Sequence, residues 1–155
     1  QFDNTYTTVS PLTLVNGSFK NWQGMTDSGM RQVVKRIYFD VHSIRLLNSE
    51  TRQNLTDKNM VAPEETEGEV VNIGLFRHYI EAYLRKRDDV SKSATLLVRQ
   101  LEATQSGVPI ELYFFIGTTD WVSYEQKTSD ILEHIYAYAN EFGLQIYEGL
   151  PVANT

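Results

Sequence analysis

The chain has 155 residues, contains no cysteine and carries a net charge of −6, with a pI of about 5.0. This length suits a single domain, and the lack of cysteine excludes thiol catalysis, thiolate metal sites and disulfides. The acidic balance argues against broad binding to nucleic-acid backbones. No apolar run approaches the roughly 20 residues that cross a bilayer, and the start of the chain lacks both an initiator methionine and a signal-peptide pattern. We therefore expect an acidic, intracellular piece of a longer protein.

The N-terminal stretch predicts a short β-prone segment followed by turns. Residues 2–9 are rich in strand-forming types, Pro11 ends the segment, and Gly17 marks a further turn. A segment of this length cannot build a core of its own. We interpret residues 1–17 as the tail of an element whose other strands are absent, or as a strand that pairs with a neighbour.

The next elements are a strand, a short helix and a loop. Alternating apolar residues predict the first clear strand over 31–41. Asn48 or Ser49 is a suitable cap for a short helix over 50–55. The polar, acidic stretch 56–70 contains a proline and a run of glutamates, which is typical of a mobile surface loop.

A longer helix is predicted over 72–87, because its apolar residues recur at helical spacing. The core stripe consists of Ile73, Phe76, Ile80 and Leu84, and is widened by Tyr79 and Tyr83. Three basic residues follow in the last turn, where cations complement the negative end of a helix.

Two apolar runs around a polar loop, Thr104 to Gly107, predict a β-hairpin with strands over 95–103 and 108–116. In the second strand one set of apolar residues alternates with a mixed set, so the first set must face the core. The core set is Val108, Ile110, Leu112, Phe114 and Ile116, and the opposite set is Pro109, Glu111, Tyr113 and Phe115.

The last helix is predicted over 121–142, with Ile131, Ile135, Tyr138 or Ala139, and Phe142 as its buried stripe. The spacing of Ser123 and Gln126 leaves open a later start. Gly143 suits the left-handed position that ends a helix. A short strand over 144–147 and a tail over 149–155 complete the chain.

The order β-α-β-β-α-β is that of the ferredoxin-like α+β sandwich, a four-stranded antiparallel sheet with two helices on one face. Right-handed crossovers place both helices on the same side of the sheet. The other side of the sheet stays open unless something covers it.

Few residues suggest chemistry. His42, His78 and His134 are far apart and lack ligand spacing, so no metal site is predicted. Asp40 and Asp120 could be considered as a catalytic carboxylate pair, but a strand-end role and a helix-cap role explain them better. No phosphate-binding or nucleophile motif occurs. We expect neither catalysis nor a bound cofactor.

The same fold class hosts RNA-binding domains, small phosphatases and ligand-sensing domains, so the fold alone does not decide the function. An RNA-binding sheet would carry aromatics within a basic rim, and the acidity of this chain opposes that reading. A small phosphatase of this fold would need an arginine-bearing anion loop after the first strand, and residues 42–45 are a poor substitute. Two readings remain: an assembly module, whose open sheet face with Tyr38, Tyr113 and Phe115 meets a protein partner, and an ordinary domain with tyrosines on a solvated face.

Five blocks spread along the chain carry a resemblance to a known family. They are SFKNWQGM (18–25), KRIYFDVHSIR (35–45), NIGLFRHYIEAYLR (72–85), LLVRQLEAT (96–104) and GVPIELYFF (107–115). In this order they closely resemble the cytoplasmic region of mechanosensitive channels of the MscS family, above all its miniconductance branch. The resemblance covers the chain from about Thr7 to Tyr147.

The resemblance implies a bacterial inner-membrane channel that opens under membrane tension and releases solutes during hypoosmotic shock. In such channels a pore helix is followed by a small β domain and an α/β domain, and seven subunits form a hollow cytoplasmic cage. Residues 1–17 then resemble the tail of the β domain and a connector, 18–148 the ferredoxin-like α/β domain, and 149–155 a tail. This implies a homo-oligomer on the cytoplasmic side of the membrane, attached through a part absent from this chain, with no nucleic-acid partner.

The candidate subunit contacts are Tyr38, Tyr113 and Phe115, together with Leu12, Leu14 and Val15. Packing within one subunit, against the N-terminal segment, is the alternative for these residues. A second function from another class is a ligand-sensing regulatory domain of ferredoxin-like fold, with a small molecule at a sheet edge between subunits.

Overall fold

The computed structural model describes residues 29–148, which contain a three-stranded antiparallel sheet and three α-helices. The strands are β1 (Arg31–Phe39), β2 (Leu97–Gln100) and β3 (Val108–Ile116), and the helices are α1 (Ser49–Asp57), α2 (Asn72–Lys86) and α3 (Trp121–Tyr138). The strand order in the sheet is β1-β3-β2, so β3 is central. The predicted α+β class is therefore confirmed.

The described residues divide into two compact units. The larger unit consists of residues 34–87, 96–113 and 129–148, and the smaller unit consists of residues 29–33, 88–95 and 114–128. Strands β1 and β3 and helix α3 each contribute residues to both units.

The predicted hairpin is present in the larger unit. Strands β2 and β3 pair antiparallel, with Leu97 opposite Tyr113 and Gln100 opposite Ile110. Gly107 closes the loop with a φ of +104°, and a Cβ atom at this position would lie 2.5 Å from the carbonyl oxygen of Phe39. Glycine is therefore required here both by the backbone conformation and by the close approach of β1.

Three phenylalanine rings form the centre of the core of the larger unit. Phe76 on α2 meets Phe39 on β1 edge to face, with ring centroids 5.9 Å apart, and lies 4.8 Å from Phe142. All three rings are fully buried. The predicted stripe of α2 is buried with them, which confirms its helical period: it comprises Ile73, Phe76, Ile80 and Leu84.

A buried amide fixes the start of α2. The side chain of Asn72 donates to the carbonyl oxygens of Ser43 at 2.9 Å and Phe142 at 3.0 Å, and it accepts from the backbone N–H of Arg45 at 3.0 Å. One residue thereby joins three segments that are distant in sequence.

The smaller unit is built around short backbone pairings. Val90 bridges Ile116 antiparallel, and the N–H of Ser91 donates to the carbonyl oxygen of Phe115 at 2.9 Å. The hydroxyl of Tyr124 donates to the carbonyl oxygen of Gln32 at 2.6 Å. Arg31 stacks on the Tyr124 ring, with its guanidinium carbon 5.0 Å from the ring centroid.

The structure resolves two alternatives in the last helix. Asp120 caps its start, because a side-chain oxygen accepts from the N–H of Ser123 at 2.8 Å, so α3 begins at Trp121 and not at Ser123. At the other end Ala139 is buried and Tyr138 is exposed. The α-helix ends at Tyr138, and a 3-10 turn follows over Ala139–Phe142 before Gly143, which has the predicted left-handed conformation.

The predicted strand over 144–147 is reduced to a single antiparallel bridge between Phe39 and Ile146. The physical reason lies one residue earlier, where the N–H of Gln145 donates to the hydroxyl of Ser43 at 3.0 Å instead of to a strand. Strand β2 spans Leu97–Gln100 and is also shorter than the predicted 95–103.

The remaining segments also differ from their predicted bounds or lie outside the described residues. Helix α1 continues two residues past the predicted end, and Asn48 is its cap, because its side chain accepts from the N–H of Thr51 at 2.7 Å. Within the predicted loop 56–70, Pro63–Thr66 forms a 3-10 turn in which Thr66 is buried. The segments predicted over 1–17 and 149–155 lie outside residues 29–148.

Candidate interaction surface

One side of the sheet in the larger unit presents charged, aromatic and apolar side chains together. On β1, Ile37 and Phe39 are buried in the core, so the residues that alternate with them lie on the opposite side. The same alternation on β2 and β3 adds residues to this side. We call this surface the arginine–tyrosine face; it consists of Val34, Arg36, Tyr38, Leu97, Arg99, Glu111 and Tyr113.

A single carboxylate organises the polar part of this face. Glu111 lies directly opposite Arg99 in the strand pairing, and its side chain is only 5% exposed. Its Oε1 atom accepts from Arg99 Nε at 2.8 Å and lies 2.7 Å from Nη2, while its Oε2 atom accepts from Arg36 Nε at 3.2 Å. Each carboxylate oxygen is therefore bound by a different arginine.

Electrostatics keep this cluster ionised. Burial raises the pKa of Glu111, but the hydrogen bonds from Arg99 and Arg36 outweigh it and hold that pKa below its usual value. The bond to Glu111 raises the pKa of Arg36 in turn. Two cations and one anion give the cluster a net charge of +1 on a chain whose overall charge is −6. The face is thus a small positive region on an acidic protein.

Apolar and aromatic side chains surround the charged cluster. Val34 and Leu97 are exposed at 45% and 43%, while Tyr38 and Tyr113 are half-buried. Tyrosine and arginine, together with tryptophan, are enriched among the residues that dominate binding energy at protein contacts. Exposed apolar groups beside them are typical of a surface that meets another protein.

The predicted contact residues are distributed unevenly. Tyr38 and Tyr113 lie on the arginine–tyrosine face, on neighbouring strands. Phe115 is half-buried in the smaller unit. The other three candidates, Leu12, Leu14 and Val15, lie outside the described residues.

A groove of about 900 Å³ is the second notable surface of the larger unit. It lies between the segment 58–65 and helix α2, and its lining includes Lys86, Tyr138 and Glu141. Lys58 donates to Glu141 at 2.8 Å, and this bond lowers the pKa of the carboxyl group. The volume falls within the range of small-molecule sites.

An aromatic cluster that joins α2 to α3 borders this groove. The imidazole of His134 stacks on the Tyr83 ring, with centroids 3.8 Å apart and planes 4° from parallel. Its Nε2 atom lies 2.9 Å from the Tyr79 hydroxyl, and Tyr138 packs at 4.4 Å. Arg87 donates to the Tyr83 hydroxyl at 2.9 Å. His134 therefore connects the two helices.

The surroundings of this cluster shift the pKa values of His134 and Tyr79. Burial, and then the charge of Arg87, lower the pKa of His134 below its usual value. Burial, with the neighbouring Tyr138 and Tyr83, raises the pKa of Tyr79 to about 12. Both shifts favour the uncharged forms, the neutral imidazole of His134 and the protonated phenol of Tyr79.

The two aspartates considered for chemistry have structural roles. Asp40 caps the 3-10 turn Val41–Ser43 by accepting from the N–H of His42 at 3.1 Å, and Asp120 caps α3. The predicted strand-end and helix-cap roles are confirmed. Between residues 29 and 148, no group of three His, Asp or Glu side chains could hold a metal ion.

Sequence reasoning missed both clusters. It noticed Glu111 only as a polar residue in an alternating strand and assigned it no partner, whereas the observed strand pairing puts Arg99 opposite it. It considered His134 as a possible metal ligand and not as a link between two helices. The signal that could have found it is the pair Tyr79 and Tyr83, one helical turn apart on a face that must meet the last helix.

None of the helices between residues 29 and 148 combines the length and the apolar character that crossing a membrane requires. A search of protein-family models found none that matches this chain.

Proposed function

We propose that this chain is the cytoplasmic α/β domain of an MscS-type mechanosensitive channel of the miniconductance branch. In this function it is a wall of a seven-subunit cage beneath the pore and supports assembly and gating during osmotic shock. The sequence blocks support the family, and the arginine–tyrosine face is the single structural observation that supports the assembly role. A domain of this kind acts through contacts and needs no catalytic group.

The proposed fold within this function is the four-stranded ferredoxin-like sandwich. Two hydrogen bonds favour it, from Asp40 N–H to the carbonyl oxygen of Gln145 and from Tyr147 N–H to that of Tyr38, both 2.8 Å long. They flank the bridge at Ile146 and put the last segment beside β1. With that segment as a fourth strand, the order becomes 4-1-3-2, with all neighbours antiparallel, as in the split βαβ arrangement.

Survival of osmotic shock tests the channel function directly. The complete gene that encodes this chain is expressed in bacteria that lack their own mechanosensitive channels, and the cells are diluted abruptly into low-osmolarity medium. The proposal predicts higher survival than with an empty vector, and tension-gated currents in membrane patches. It also predicts that the reading frame encodes a membrane-spanning helix of about 20 apolar residues upstream of Gln1. Normal expression with neither survival nor current would exclude the channel function.

Assembly of the complete protein tests the role of the aromatic residues. Changing Tyr113 and Phe115 to serine together should weaken the oligomer, since both contribute apolar area, while circular dichroism shows an intact fold. Tyr136→Ser, on the exposed surface of α3, is the matched control and should leave the oligomer unchanged. An intact oligomer on native gels after the double change would contradict the contact assignment.

The groove beside α2 favours a second candidate, a ligand-sensing regulatory domain. Its volume and its mixture of tyrosines, lysines and glutamates suit a small polar molecule. Screening nucleotides and amino acids for a rise in melting temperature tests this function. A ligand that raises the melting temperature of the wild-type chain but not of Tyr138→Ala would support sensing.

A further inference from the structure

The arginine–tyrosine face carries two positive charges, and its one carboxylate neutralises only one of them. The side chains of Arg36 and Arg99 are 52% and 53% exposed, whereas Glu111 between them is buried. Each guanidinium has five N–H donors, and Glu111 engages only Nε of Arg36 and Nε and Nη2 of Arg99. The buried carboxylate thus fixes both arginines in place and leaves their outer edges at the surface.

The same unit carries an unpaired stretch of negative charge. We call it the glutamate run; it consists of Glu64, Glu65, Glu67 and Glu69, all exposed. Within residues 29–148, none of these four carboxylates forms a hydrogen bond or an ion pair with another residue. The run begins on the 3-10 turn Pro63–Thr66, where the Thr66 hydroxyl donates to the carbonyl oxygen of Pro63 at 2.8 Å. An ordered turn therefore presents the charges.

These two surfaces complement each other in charge, and no ion pair joins them within the described part of one chain. We propose that the arginine–tyrosine face of one copy binds the glutamate run of a second copy. The contact is heterologous, since each copy uses a different surface, and repetition of such a contact closes a ring or extends a filament. This inference rests on the proposed function, which places copies of the chain around a pore, and it names the surface that each neighbour contributes.

The chemistry of the face suits this partner. Carboxylates bind the planar edge of a guanidinium through paired hydrogen bonds, which are stronger and more directional than bonds between neutral groups. The flanking Val34, Leu97 and Tyr113 exclude water from such pairs once the surfaces meet, as the rim of a binding hot spot does. Because the attraction is between charges, added salt weakens the contact.

Cross-linking tests the contact, and because these 155 residues contain no cysteine, the introduced thiols are the only ones within them. Leu97→Cys places a thiol on the face, and Glu65→Cys places one in the run. The two single variants are produced as full-length chains with tags of different size, mixed at high concentration and treated with a short bismaleimide. We expect a cross-linked product that contains one chain of each kind, and little product from either variant alone.

Charge reversal shows whether the glutamate run carries the contact. In the Glu65→Cys chain, the additional changes Glu64→Lys, Glu67→Lys and Glu69→Lys should abolish the mixed product. The matched control is Glu102→Lys, Glu125→Lys and Glu133→Lys, three exposed glutamates elsewhere, with the same change in net charge. This control should retain the product, and raising the salt concentration should reduce it.

The alternative outcomes are distinct. Efficient cross-linking of Leu97→Cys to itself would show that two sheet faces pack together, which overturns this inference and leaves the assembly role intact. Absence of any product from variants with the wild-type circular dichroism spectrum also overturns it. Conversely, a mixed product together with failure of the osmotic-shock test would retain the contact and exclude the channel function.

Discussion

Arg99 on β2 and Glu111 on β3 lie directly opposite each other, and the arginine binds one oxygen of a carboxylate that is almost fully buried. Arg36 on β1 binds the other oxygen from the opposite side. A buried carboxylate is tolerated only when it is paired. Loss of the pairing therefore costs more for the buried Glu111 than for the half-exposed arginines. The cluster consequently connects all three strands of the sheet through one side chain.

Removal of Arg99 should therefore destabilise the fold. Arg99→Leu leaves Glu111 with one partner, and we expect the free energy of unfolding to fall by about 2 kcal/mol, a value reduced for the half-exposed position of the arginine. Arg36→Leu should have a smaller effect, because the bond that it removes from Glu111 is longer. Urea denaturation at pH 7 measures both. Arg85→Leu, which breaks only an exposed pair with Glu81 one helical turn away, is the control and should change stability by less than about 0.5 kcal/mol.

Acid should remove the contribution of Glu111 to the stability of the fold. Its pKa is lower in the folded chain than the 4.5 of an unperturbed glutamate, so its stabilising effect is complete above 4.5 and is lost as the pH falls through the folded value. Glu111→Gln should therefore be less stable than wild type at pH 7, and the difference should disappear in acid well below pH 4.5. Urea denaturation of both chains at a series of pH values checks this. A difference that persists in strong acid would mean that the glutamine disturbs packing.

The elements that the sequence predicted well are those whose signal is local. The stripe of α2 and the cap at Gly143 depend on neighbours within a few residues, and both are present. The strand over 144–147 is present only as a single bridge, because the N–H of Gln145 binds Ser43, about 100 residues away in sequence. Composition and alternation contain no information about that bond.

The candidate surface shows the same limit. Alternation along β3 predicted correctly that Tyr113 and Glu111 share a side of the sheet, but the sequence did not predict the register that puts Arg99 opposite Glu111. The role of Arg36 depends on which strand lies beside β3, a property of topology that local patterns do not specify. The link through His134 likewise requires α2 and α3 to be neighbours in space.

His134 should titrate below the value of an ordinary histidine. Burial and the charge of Arg87 both oppose protonation, so the folded pKa lies below 6.5. A lowered pKa in the folded state means that stability is complete above 6.5 and is lost as the pH falls through the folded value. In a chain carrying His42→Asn and His78→Asn, the NMR signal of the one remaining histidine should titrate with a midpoint below 6.5.

A matched pair of tyrosine variants tests the hydrogen bond of the same cluster. Tyr79→Phe removes the hydroxyl that lies 2.9 Å from His134, and we expect a loss of about 1 kcal/mol in the free energy of unfolding at pH 7.5. Tyr136→Phe, on the exposed side of α3, should have no measurable effect. Equal effects of the two changes would show that the bond contributes nothing to stability.

The buried amide of Asn72 provides a test of hydrogen-bond polarity. Asn72→Asp keeps the shape but replaces the group that donates to Ser43 and Phe142 with an acceptor, which then faces two carbonyl oxygens. We expect a loss of 3 kcal/mol or more, on the order of a buried unsatisfied or repelled polar group. Asn48→Ala, which removes the exposed cap of α1, should cost only about 1 kcal/mol. Thermal and urea unfolding measure both losses.

Gly107 and Gly68 separate the cost of backbone conformation from the cost of crowding. Both have positive φ, +104° and +78°, but a Cβ atom at Gly68 meets nothing within 4 Å, whereas one at Gly107 lies 2.5 Å from the backbone oxygen of Phe39. Gly68→Ala should therefore cost about 1 kcal/mol from the left-handed conformation alone. Gly107→Ala should cost clearly more, because β1 and the hairpin must move apart and the pairing between them is strained. Urea denaturation of the two variants measures the difference. Equal losses would mean that the hairpin loop moves to accept the methyl group, and the close approach of Phe39 would then not be what requires glycine at this position.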